Sequence, residues 1–157
     1  MSAWLAALMI LGPADADPVA KLLNSLVGEW AIVEHGDGKD VQGLERWSVG
    51  VAGQIYFEHY DAGSGNDRTL GSAAIWNGEG DKWRGVWCQD GHGCMDFLVA
   101  AERGQLIIKP DPTAPIELRS FLERFTLKSP TELEQVIEIC SDNGSCVKVL
   151  TVTGRRR

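Results

Sequence analysis

Short runs of alternating apolar and polar residues follow one another along most of this chain, separated by glycine- and asparagine-rich breaks. One early segment differs. In Pro18–Leu26 the apolar residues fall at Val19, Leu22, Leu23 and Leu26, which is helical spacing over one or two turns ending near Gly28. Beyond it, the pattern predicts strands over Glu29–His35, Leu44–Val49, Gln54–Asp61, Leu70–Asn77, Lys82–Cys88, Cys94–Ala101, Gln105–Lys109, Ile116–Lys128, Glu132–Cys140 and Cys146–Thr153. The breaks between them, such as Gly36-Asp-Gly38, Gly63-Ser-Gly-Asn66, Asp90-Gly91 and Asn143-Gly144, supply the positive-φ positions that tight β-turns need. About ten short strands at close, even spacing suit a meander that closes into an antiparallel barrel, because closure removes the exposed edge strands. The expected fold class is therefore all-β, one closed barrel spanning residues 19–154 with a short helix at its base.

Period-two alternation also divides each strand into two faces. In Ile55–Asp61 one face carries Ile55, Phe57 and His59, and the other Tyr56, Glu58 and Tyr60. The second set is amphipathic and suits an outer wall, so Ile55, Phe57 and His59 are expected to point into the lumen. Leu133, Ile137 and Ile139 separate from Glu132, Glu134 and Glu138 in the same way. Trp83 and Trp87 share a face with Gly85 between them, and they join the expected ligand-binding set.

Composition narrows the class of partner. The chain has 157 residues, room for one domain, and a formal net charge of −7. That charge repels nucleic acid and anionic lipid alike. The only basic run, Arg155–Arg157, reads as a solvated tail. Ala3–Leu11 is an apolar run followed by Gly12-Pro13 and Ala14-Asp15-Ala16, the pattern of a secretory signal over residues 1–16, although no basic residue precedes it. The run is too short to span a bilayer. A periplasmic or secreted location follows as the expectation.

The four cysteines form two matched pairs, Cys88/Cys94 and Cys140/Cys146, each bracketing five turn-forming residues. An even count, equal spacing and the signal pattern read as disulfides, and the local pairing is the expected one of three connectivities. The rival is zinc, held by the four cysteines or by three with His92. Structural zinc usually has two to four residues between paired ligands, so no metal is expected.

Leu26-Val-Gly-Glu-Trp30, opening the first strand after a short helix, resembles the G-x-W start of lipocalin-like barrels. Gly53–Asp61 with Gly63, then Trp76-Asn77 and Lys82-Trp-Arg-Gly-Val-Trp87, is similar to a bacterial lipocalin-like family of unknown function. The likeness covers roughly residues 22 to 90. Ala52 and Val86 depart from the family's Gly and Thr, and the cysteine loops lie outside its pattern. The resemblance implies a barrel with a closed base and an apolar interior, with Trp30 as a structural plug. A related haem-binding family uses a C-terminal histidine, and here no histidine lies beyond His92. No cofactor is expected.

Catalytic motifs are absent. There is no G-x-S-x-G elbow, P-loop or G-x-G-x-x-G, and no catalytic residue is assigned. Of the three histidines, His35 and His92 sit at turns, and His59 is the one on an otherwise apolar face. The leading expectation is an exported barrel that takes a small apolar or aromatic molecule into its lumen, with His59 as polar anchor. A second is a protein-binding barrel, like a secreted protease inhibitor, acting through loops 89–93 and 141–145. A third is a lumen-based isomerase or cyclase, which would need an inward ionisable partner beside His59.

Overall fold

A computed structural model describes residues 17–36, 38–78, 82–113, 120–141 and 143–157; the expected signal segment lies outside them. Helix α1 (Pro18–Leu26) is followed by ten strands. These are β1 (Gly28–Gly36), β2 (Lys39–Val49), β3 (Ile55–Ala62), β4 (Thr69–Asn77) and β5 (Trp83–Gln89), then β6 (Gly93–Glu102), β7 (Gln105–Pro110), β8 (Phe121–Ser129), β9 (Glu132–Cys140) and β10 (Cys146–Arg156). Each strand pairs antiparallel with its sequence neighbours, and β1 pairs with β10 to close the barrel. Among the described strands no edge is left to template aggregation.

The helix begins where the sequence marks it. Asp17 caps it by accepting from the Val19 amide at 2.9 Å, with Pro18 in the first turn where no amide partner is needed. Val19, Leu23 and Leu26 turn inward and are buried, closing one end of the barrel. Asp17 also accepts from the indole N–H of Trp83 at 2.5 Å, which ties the helix to β5. Trp30 plugs the same end. It is fully buried, and its indole donates to the Leu26 carbonyl at 2.8 Å.

Arg155 and Arg156 do not form a solvated tail. Both pair with β1, and the Arg156 guanidinium lies 4.4 Å from the centre of the Trp30 ring. Arg156 also donates to the carbonyls of Val27 and Ser25, each at 2.6 Å, and of Pro130 at 3.0 Å. A cation stacked on an indole and spent on the orphan carbonyls at a helix end is held by geometry that local composition does not display.

Both cysteine pairs are disulfides, Cys88–Cys94 and Cys140–Cys146, and each joins facing residues of a hairpin. Oxidation consumes the thiolates that a zinc site would need. The hairpins β5–β6 and β9–β10 lie at the end opposite α1, so the barrel has a helix-plugged base and a disulfide-braced mouth. Two disulfides fit an extracellular or periplasmic location. No helix among the described residues is long and apolar enough to cross a membrane.

Candidate functional site

Above the base, the lumen holds a cavity of about 520 Å³ that reaches the disulfide-braced mouth. Its apolar wall includes Ala73, Trp87, Phe97, Ile108, Phe121 and Ile137. Trp87 lies against β4 because Gly71 carries no side chain; a Cβ at that position would overlap the indole ring. Tyr60 packs edge-on against Trp87, with ring centres 6.2 Å apart, and its hydroxyl donates to Glu34 at 2.5 Å.

Polar side chains reach the inner face from several strands. Glu34 projects from β1, Glu58 from β3, Glu123 from β8 and Gln135 from β9, all lining the cavity. Glu45 on β2 is wholly buried nearby and accepts a hydrogen bond from the Trp47 indole N–H. Gln135 donates its amide N–H to Glu123. Among the described residues no lysine or arginine lines this cavity. Burial pushes the Glu45 carboxyl up to about 8, the nearby Glu123 charge adding to it and the Trp47 hydrogen bond opposing it. Glu123 rises to about 7, mainly through burial. Glu58 is held well above the ordinary carboxylate range by burial and by the charges of Glu45 and Glu123. These are acids kept close to neutrality by an apolar enclosure that offers no counter-charge.

The expected site residues divide. Trp83 and Trp87 are inside: Trp83 at the base, against Tyr56, and Trp87 in the cavity wall. Ile55, Phe57 and His59 are outside, with Ile55 36 % and Phe57 45 % exposed and His59 exposed between strands β2 and β4. The alternation was correct and its phase was inverted, so Tyr56, Glu58 and Tyr60 form the inner face. The cause lies in the partner strand. Trp47 pairs with Glu58 and Glu45 with Tyr60, and facing residues of an antiparallel pair share a face, so the inward Trp47 carries Glu58 inward with it. Ile55 and Phe57 instead join the exposed Val49 and Val51 on the outer surface. His59 can thus neither anchor a lumen ligand nor pair with an inward acid in an isomerase. His92 does line the mouth. Sequence reading missed Glu45, Glu58 and Glu123; the one signal for them was acids interleaved with Trp47, Tyr56, Tyr60 and Phe125, and of these only the β3 face was assigned, outward.

Fold and site together define a closed ten-strand antiparallel β-barrel with a plugged base, an open mouth and an acid-bearing apolar lumen. The crystal structure of Rv2717c from M. tuberculosis is similar over 91 % of this chain and 99 % of its own, with a TM-score of 0.56 and 13 % identity. The redesigned β-barrel mFAP1, solved bound to DFHBI, overlaps 89 % of this chain and all of its own, with a TM-score of 0.47 and 14 % identity. No protein-family model matches the chain, and no curated protein matches it.

Proposed function

We propose that this chain is an exported lipocalin-like barrel that binds a small, largely apolar or aromatic molecule in its lumen. The cavity carries this reading. About 520 Å³ lies within the range of small-molecule sites, and its wall of Trp87, Phe97, Phe121 and Ile137 is broken by a few convergent polar groups. A barrel that merely filled its own interior would have no such space. The test is titration of the purified chain with N-phenylnaphthylamine, a neutral dye that brightens in apolar surroundings. Saturable enhancement at one site is expected, lost when Ile137→Trp fills the mouth. A dye signal that never saturates, or that survives Ile137→Trp unchanged, would overturn lumen binding.

A second reading is a protein-binding role for the mouth. Its support is that both disulfide hairpins sit at one end, with Ile139, Val147 and Val149 exposed beside the second. The two readings separate on the dye: a protein partner on the loops leaves lumen enhancement without a specific competitor.

A further inference from the structure

Below the mouth, where Thr69, Gln89, His92 and Ser120 supply donors, the polar groups of the lumen are mostly oxygens, and the donors beside them are engaged. The Trp47 indole N–H goes to Glu45, the Tyr60 hydroxyl to Glu34, and the Gln135 amide N–H to Glu123. What remains unpartnered is one carboxyl oxygen of the fully buried Glu45 and the amide oxygen of Gln135, which is 4 % exposed and lines the cavity. Glu58, 5 % exposed, also faces the cavity without a hydrogen bond among the described residues. Buried polar groups without partners are costly, and native proteins rarely retain them without a use. Three carboxyls and a free amide oxygen, from β2, β3, β8 and β9, share this enclosure.

We infer that the lumen selects a molecule with a compact ammonium head and an aromatic or aliphatic body, the head lodged among Glu58, Glu123 and Gln135 and the body against Trp87, Phe97 and Phe121. An ammonium brings donors and positive charge without needing an acceptor in return. The inference deepens the lumen-binding reading and rests on it. Facing the head are Glu58 and Tyr60 of β3, Glu34 of β1, Glu45 of β2 and Glu123 of β8, with His92 at the rim. Near neutral pH, burial leaves Glu45 and Glu58 holding protons and Glu123, raised to about 7, only partly ionised. A bound ammonium favours the ionised acid, so binding releases protons and tightens as pH rises, until the amine itself loses its charge near about pH 10.

The experiment is calorimetry of the full chain with phenethylamine, phenylethanol and phenylpropionate, which share one aromatic body and differ in the head. It is run at about pH 7.5 in two buffers of different ionisation enthalpy. Phenethylamine is expected to bind at least about tenfold more tightly than the alcohol, with the carboxylate weakest and with net proton release. Glu58→Gln should reduce the amine to the level of the alcohol. Glu123→Gln provides the same reading if the first variant does not fold, and Asp96→Asn, which removes an acid from the outer face, should leave the amine's affinity unchanged. Equal affinities for amine and alcohol, or dye binding without amine binding, would overturn the ammonium site while leaving the lumen reading intact. Loss of dye and amine binding together in the wild type would overturn both.

Discussion

Adjacent residues of β3 have opposite fates, and the difference is one of environment. Tyr56 is 1 % exposed, packs against Trp83 with ring centres 5.9 Å apart, and donates from its hydroxyl to Asn24 at 2.9 Å. Phe57, more apolar by any transfer scale, stays 45 % exposed beside Val49. A tyrosine is buried readily when its ring fills the core and its hydroxyl finds a partner. Tyr56→Ala should therefore destabilise by about 3–5 kcal/mol, the scale of a buried aromatic truncation, whereas Phe57→Ala should cost under about 1 kcal/mol. Chemical denaturation of the two variants measures both. Similar costs would contradict the face assignment and, with it, the inward placement of Glu58.

At the level of elements, the hairpins that build the mouth are short and differently secured from the base. The base is held by packing, with the Leu23 and Leu26 side chains, the Trp30 plug and the Arg156 stack converging there. The mouth has instead a disulfide across each of β5–β6 and β9–β10, where Gln89–Gly93 and Ser141–Ser145 offer little to bury. Each bridge closes a short loop, so the chain-entropy account gives about 2 kcal/mol apiece. Replacing Cys88 and Cys94 together by alanine should lower stability by about that amount while the barrel's circular dichroism is retained. A collapse of the fold on losing one bridge would show that the mouth, not the plugged base, carries the structure. Glycine placement also follows from packing of elements. Gly43 reads as part of a turn, yet it lies in β2 because β3 crosses so closely that a Cβ would stand 2.6 Å from the Asp61 carbonyl oxygen.

For the whole molecule, the buried acids set how stability responds to pH. Glu45 and Glu123 have an ordinary value of 4.5 and rise to about 8 and about 7 in the folded barrel. In the unfolded chain both ionise near the ordinary value, so between these limits the folded state binds more protons. Their favourable contribution is complete below the unfolded pKa and is lost as pH rises through about 7 to 8. The barrel is therefore expected to be less stable at about pH 8.5 than at about pH 6, by on the order of a few kcal/mol. Urea midpoints across that range measure the slope, and Glu45→Gln should flatten it. A stability that rises with pH would mean the acids are ionised and compensated in the folded state. Acids held at this cost are expected where binding depends on them.

Strand number, antiparallel closure, the short basal helix and both disulfides were legible from local pattern alone, because turns, alternation and paired cysteine loops are encoded within a few residues of each other. The Trp30 plug was legible through resemblance. Which face of β3 looks inward was not, since alternation defines two faces and leaves their phase open; the register with β2 decides it, through the pairing of Trp47 with Glu58. The acid cluster was not legible either. Glu45 and Glu58 come from the β2–β3 hairpin and Glu123 and Gln135 from the β8–β9 hairpin, far apart in sequence, and barrel closure turns the two toward one enclosed volume. A glutamate in sequence is a solvated charge by default; only the surrounding walls, which exist once the barrel has closed, make it a buried acid without a counter-charge.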